Sequence, residues 1–189
     1  MGVHVDEDLL IAQCKAGDEQ AFRELFQRYR GWVYNVVLRL LGDCPDVEDV
    51  MQEVFVHVVH SLPQYAGRSE FSTWLYRVTV NTCLQKIRKK SLDTVSLEAM
   101  VRDRRELSAK TERPDRAVER HEIEEAVQAA LLELPPNLRT AVVLHDIEGL
   151  TEEEIAQILK CPRGTVKSRL YHGRRRLRAL LQDWMGEGT

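Results

Sequence analysis

Apolar residues recur at spacings of three and four along most of the chain, and the breaks in that rhythm mark helix ends. Leu9, Leu10 and Cys14 predict a short helix between Asp6 and Gly17. From Glu19, the positions Phe22, Leu25, Phe26, Tyr29, Val33, Val36, Val37, Leu40 and Leu41 form one continuous stripe, closed by Gly42. Pro45 suits the first turn of a third helix, running to Leu62 with Val47, Val50, Met51, Val54, Phe55 and Val58 inward. The run Val54–Val59 favours a strand by propensity alone, but the longer helical pattern outweighs it. A glycine-containing loop follows to Phe71, then a helix from Ser72 through Lys90. From Ser91 to about Ala117 the period is lost, which predicts a linker. Helical spacing returns from about Val118 to Leu134, with Ile123, Val127, Ala130, Leu131 and Leu134 as its stripe, and again from Pro135-Pro136 to Gly149.

The stretch Thr151–Leu181 has the most informative pattern. Thr151 and Glu154 form a capping box ahead of Ile155, Ile158 and Leu159. Cys161-Pro162-Arg163 interrupts the helix, since proline cannot continue the backbone ladder. Val166, Leu170, Leu177, Leu180 and Leu181 then give a second helix its inward face, and the small Ala156 is expected where the two cross. Two helices joined by so short a turn predict a helix-turn-helix. Arg163, Lys167, Ser168, Arg169, His172, Arg174, Arg175, Arg176 and Arg178 lie on the opposite face, and no Asp or Glu occurs between Glu154 and Asp183. Such an unscreened cationic helix calls for a polyanion, and DNA is the expected partner.

Charge changes the picture more than composition does. Net charge is only −3 over 189 residues, yet residues 1–60 hold eleven acids against five Lys and Arg, and the two strongly basic stretches lie behind them. An acidic front half needs a partner other than DNA. The 43% hydrophobic and 30% charged content suits helices of a globular protein. No run reaches the length of a membrane span and the N-terminus lacks a signal-peptide pattern, so a cytosolic protein is expected. Cys14, Cys44, Cys83 and Cys161 are widely spaced and suggest reduced, small apolar residues rather than a disulfide or zinc framework. Glu53 and His57, four apart, make one weak metal-type pair, and no cofactor is expected.

Two surfaces in the first half carry candidate chemistry. Asp46, Glu48, Asp49, Gln52 and Glu53 share the outer face of the third helix, either as a docking face or as ordinary solvation near a helix N-terminus. Between Glu70 and Asp93 there is no acid. In this stretch and the loop before it, Tyr65, Phe71, Trp74 and Tyr76 lie beside Arg68, Arg77, Lys86, Arg88, Lys89 and Lys90. Aromatic platforms along a positive track hold unpaired bases; taken singly, Phe71, Trp74 and Leu75 also fit the core. The intervening linker, about 27 residues at ~3.3 Å each, spans on the order of 90 Å when extended. That exceeds the roughly 35–70 Å between DNA elements one to two helical turns apart.

At these residues the chain resembles the extracytoplasmic-function (ECF) sigma factors of bacterial RNA polymerase. Four stretches carry the likeness in order: Ala21–Tyr29 (AFRELFQRY), Asp46–Phe55 (DVEDVMQEVF), Phe71–Asn81 (FSTWLYRVTVN) and Gly164–Leu170 (GTVKSRL). The resemblance implies an all-α chain of two helical domains joined by a flexible linker, the C-terminal one a helix-turn-helix. Residues 1–91 would dock on core polymerase and recognise and melt the minus-ten element, 92–117 would be the linker, and 118–189 would bind the minus-thirty-five element. It further implies that Asp46, Asp49, Gln52 and Glu53 bind the clamp helices of the largest polymerase subunit, while the C-terminal domain meets the flap. The Tyr65–Phe71 loop with Asn81 would capture a flipped base, with Arg68, Trp74, Arg77, Lys86 and Arg88 on the same melting surface. Lys167, Ser168, Tyr171 and His172 match base-reading positions, and Arg163, Thr165, Arg169 and Arg174 match phosphate-holding ones. The linker would thread the polymerase channels, and an anti-sigma partner is expected. The function implied is promoter-specific initiation in a stress or envelope response, without catalysis. A stand-alone helix-turn-helix regulator is the competing reading, opposed by the basic stretch Arg77–Lys90. A metal-dependent helical enzyme is a third.

Overall fold

The computed structural model describes the backbone of residues 7–97 and 116–186, and the side chains of residues 7–90 and 122–182. Most of the expected linker, residues 98–115, lies outside the described residues. Eight α-helices make up the described chain, with no strand among the described residues: α1 (Glu7–Lys15), α2 (Glu19–Leu41), α3 (Asp46–Ser61), α4 (Phe71–Leu97), α5 (Arg116–Leu132), α6 (Pro136–Val142), α7 (Glu152–Leu159) and α8 (Arg163–Gly186). A 3-10 turn (Leu62–Gln64) extends α3, and a π-turn (Val143–Ile147) extends α6. The fold is all-α in two helical domains, α1–α4 and α5–α8.

Local chemistry sets the helix ends. Asp18 caps α2 by accepting from the Gln20 and Ala21 amides at 2.8 and 3.2 Å. Gly42 ends it at φ 83°, a left-handed conformation that suits glycine. Thr151 and Glu154 form the expected capping box of α7. Its end lies at Lys160, which adopts φ 49°, one residue before the Cys161-Pro162-Arg163 break. At the other end of the first domain, α4 continues through Ser91 to Leu97, where a linker was expected. No Gly or Pro occurs between Gly67 and Pro114, so loss of apolar period does not break the backbone there.

Within the first domain, Val33, Val36, Val37, Leu40, Val50, Val54, Leu62 and Val80 are fully enclosed. Leu131, Leu134, Val143, Leu144, Ile155 and Val166 play the same part in the second. Ala156 is only half-buried; the tight approach of α8 is at Gly173, where an added Cβ would come 2.7 Å from the Val142 side chain on α6. Ile123 does not join its expected stripe and is 55% exposed, and Leu177, Leu180 and Leu181 are half-buried.

The two domains pack on one another through a polar seam around an apolar one. A helix leaves its last carbonyls without internal partners. Here the second domain supplies one to Leu40, whose carbonyl accepts from the Arg139 guanidinium, and Gln128 Nε2 adds a bond at 3.0 Å to the Leu38 carbonyl, which also accepts from the Gly42 amide. Arg139 also donates to Leu132 and Leu134 carbonyls at 2.7 and 3.1 Å, which ties the α5–α6 corner to the end of α2. Leu132 fills the space over Gly42, where a Cβ would sit 2.7 Å from its side chain. Beside this, Trp32 Nε1 and the Tyr76 hydroxyl both donate to Glu148 Oε2, at 3.2 and 2.9 Å. Burial and the nearby Glu148 carboxylate push the Tyr76 hydroxyl well above its ordinary pKa, so it stays a donor.

Candidate nucleic-acid interface

The recognition face of α8 is built from the turn outward. With Val166 and Leu170 buried against the domain core, helical geometry turns Arg163, Lys167, Ser168, Tyr171, His172 and Arg174 to the surface. All six are exposed, Tyr171 by 63%, and its ring meets His172 edge-on at 5.2 Å. Thr165 and Arg169 are half-buried at the edge of the row. Arg169 points its guanidinium at the Cys161 sulfur, 3.9 Å away.

These cations are not unscreened, contrary to the sequence expectation. Arg163 Nε donates to Glu152 Oε2 at 2.7 Å, and its Nη1 is paired with Glu153. Lys167 Nζ lies 3.9 Å from the same Glu152 oxygen. Arg174 is held by Asp146 through two contacts, one of them 3.0 Å from Nε. The hydrogen bond from Arg163 holds the Glu152 carboxyl below the usual carboxylate range, and Asp146 raises Arg174 in turn. The acids come from the first turn of α7 and from the π-turn. They lie in segments that the turn folds back against α8, so acid-free spacing along the sequence did not reveal them.

The second cationic surface, on α4 and the preceding loop, is arranged differently. Phe71 and Trp74 are 2% and 6% exposed, so both are core residues in this arrangement rather than open platforms. Their rings stack with Tyr65 and Tyr29 in one cluster, centroids 5.3–5.7 Å apart. Tyr65 is half-buried and clamps its loop: its hydroxyl donates to the Ser69 carbonyl at 2.6 Å, and Lys15 Nζ lies 5.2 Å over its ring. Arg68, Asn81 and Arg88 are exposed, while Arg77 is half-buried. A cleft lined by Tyr65, Arg68, Trp74 and Arg77 is closed on its far side by Gln157 and Ile158 of α7. The helix-turn-helix thus sits partly over this surface.

The acidic face of α3 adjoins the basic side of α4. Asp49, Gln52 and Glu53 are exposed, with Asp46 half-buried and bonded to Lys86 Nζ at 3.1 Å. One predicted docking residue and one predicted melting residue therefore share an ion pair. His57 turns to the Thr82 hydroxyl at 3.2 Å, and among the described residues no group of His, Cys, Asp and Glu could hold a metal. All four cysteines are free thiols. Cys14 and Cys83 are buried, as expected of small apolar residues; burial pushes Cys83 up to about 12. Cys44 and Cys161 are only half-buried.

Known proteins decide what this arrangement is. Residues 25–92 match the Sigma-70 region 2 family and residues 124–177 match Sigma-70, region 4. SigW of Bacillus subtilis, an ECF RNA polymerase sigma factor, is 36% identical over 179 residues, covering 92% of this chain and 95% of SigW. The chain belongs to the ECF sigma factors. The sigma-E factor of Escherichia coli is similar at 34% identity, covering 92% and 93% of the two chains. The RNA polymerase sigma-H factor of Pseudomonas aeruginosa is 33% identical, covering 94% and 95%. Among solved structures, CnrH in complex with the cytosolic domain of CnrY aligns at TM-score 0.64 and 27% identity, covering 93% and 96%. The fold also matches the Bartonella quintana sigma factor RpoE bound to the anti-sigma factor NepR, at TM-score 0.66 and 21% identity, covering 85% and 96%. As a sigma factor, the protein directs core RNA polymerase to promoters and is a transcription-initiation factor rather than an enzyme. No described helix is long and apolar enough to cross a membrane.

Proposed function

We propose that the ECF sigma factor divides promoter recognition between residues 1–91 and 118–189, joined by the segment 92–117 whose two ends continue α4 and α5, and works in the cytoplasm. The observation that carries this is the outward row Arg163–Lys167–Tyr171–Arg174, which stays exposed although the two domains are packed together. Lys167, Ser168, Tyr171 and His172 read bases of the upstream element in the major groove, and Arg163, Thr165, Arg169 and Arg174 hold phosphates. Asp46, Asp49, Gln52 and Glu53 dock on the clamp helices of the polymerase, and the second domain meets the flap. Arg68, Arg77, Asn81, Lys86 and Arg88 guide the melted strand past Tyr65. Phe71 and Trp74 shape that surface from below and reach a base only if the loop opens. For the melting surface to meet DNA, α7 must leave α4, so polymerase binding separates the domains. The Bartonella quintana sigma factor RpoE, of the same fold and bound to the anti-sigma factor NepR, supports a partner of that kind for this chain as well.

Run-off transcription with core polymerase, on a promoter that the holoenzyme itself selects from a random library, tests the reading. Initiation from one defined promoter class is expected; tight operator binding by the chain without polymerase, and no initiation, would instead indicate a stand-alone regulator. Asp49→Arg, at an exposed position, is expected to leave the fold unchanged and abolish polymerase capture in a pull-down. Unchanged capture would make that face merely solvated.

A further inference from the structure

Three acids, Glu152, Glu153 and Asp146, meet the outward row of α8, and of these Glu152 reaches two of its cations. Arg163 and Lys167 are four apart on α8, a spacing at which like charges repel. The Glu152 Oε2 atom lies 2.7 Å from Arg163 Nε and 3.9 Å from Lys167 Nζ. Its side chain is 22% exposed, against 54% and 58% for its partners. Glu154, two residues on, is differently engaged: its carboxylate accepts from the Thr151 amide and hydroxyl at 2.8 and 2.7 Å and serves the helix cap.

We propose that Glu152 is a positioning residue that sets promoter selectivity through Arg163 and Lys167. The inference rests on the reading of α8 as the upstream-element reader. A lysine is a compact charge on a flexible four-carbon stem, and reads a base poorly unless something restricts where its ammonium goes. Glu152 supplies that restriction by drawing Lys167 toward the anchored Arg163. It also offsets part of the charge that would otherwise attract any phosphate, which lowers sequence-independent binding more than sequence-dependent binding. Selectivity is the ratio of the two, so both effects act in the same direction.

The test uses holoenzyme made from the full chain, carrying Glu152→Gln, Glu154→Gln or Lys167→Ala. Binding is measured across a salt series on the selected promoter with its upstream element intact or scrambled. Glu152→Gln is expected to bind the scrambled template more tightly, with the slope of log K against log salt steeper by about one. Discrimination between the templates is expected to fall roughly two- to tenfold, the scale of losing one ordered side chain. Glu154→Gln removes a carboxylate from the same helical turn, and is expected to lower thermal stability without changing either readout. If the two glutamine variants behave alike, bulk charge explains the result and the positioning role is overturned. If Lys167→Ala lowers discrimination while Glu152→Gln changes neither slope nor discrimination, only the role of Glu152 falls. If Lys167→Ala leaves discrimination intact, the reading of α8 fails and this inference fails with it.

Discussion

The two cationic surfaces are restrained in different ways. On α8 the cations are exposed and their restraint is electrostatic, from Glu152, Glu153 and Asp146. On α4 the aromatic residues are buried, and the restraint is packing, with α7 across the cleft. The difference teaches that a run of basic residues does not define how a surface is used. Charge pairing leaves a surface open, while packing covers it.

The largest expected effect separates the two surfaces most sharply. Trp74→Ala should cost about 3–5 kcal/mol of stability, as for a buried aromatic, measured by denaturant unfolding. Tyr171→Ala on α8 should stay within about 0.5 kcal/mol and affect promoter binding alone. A cheap Trp74→Ala would mean that the ring is an open platform after all. Next is the seam. Gly42→Ala places a Cβ against Leu132 at a left-handed φ, and should cost about 1–3 kcal/mol. The thermal midpoint reads this out, and an unchanged midpoint would mean that the seam is loose. Glu148→Ala leaves Trp32 and Tyr76 without their shared acceptor and should cost about 1 kcal/mol. Faster hydrogen exchange at the end of α2 would accompany it; unchanged exchange would remove Glu148 from the seam.

The smallest effect concerns pH. Bonds from Thr151 lower the Glu154 carboxyl in the folded state, so the unfolded chain binds its proton more readily. The cap therefore contributes fully above the ordinary carboxylate pKa and is lost as pH falls through the lowered one. Thermal melts across that range should lose part of their acid dependence in Glu154→Gln. Identical pH profiles would remove the carboxylate from the cap.

Much of the fold was legible because helices advertise themselves locally. The α2 stripe and Gly42 at its end are read within one helix length, and the capping box from Thr151 to Glu154 spans four residues. Where sequence reasoning failed, the deciding contact was not local. Arg139 and Leu40 are 99 residues apart, and Trp32 and Glu148 are 116 apart, so no periodicity signals the seam. Glu152 reaches Arg163 across eleven residues and a turn, a separation that a search for acids along α8 passes over. The extension of α4 past Lys90 was missed for a different reason. Apolar period reports a buried face, whereas a helix can continue without one until a breaker residue ends it.

The most direct test of the packing restraint is to lock it. Gln64→Cys and Gln157→Cys, in a chain whose four native cysteines are replaced, put thiols on two walls of the cleft that α7 covers. A short, reducible bis-thiol reagent would join them, and run-off transcription with core polymerase would follow before and after reduction. The locked chain is expected not to open its promoter, and reduction is expected to restore initiation. Full initiation by the locked chain would contradict that restraint, since the melting surface would then work with α7 still in place.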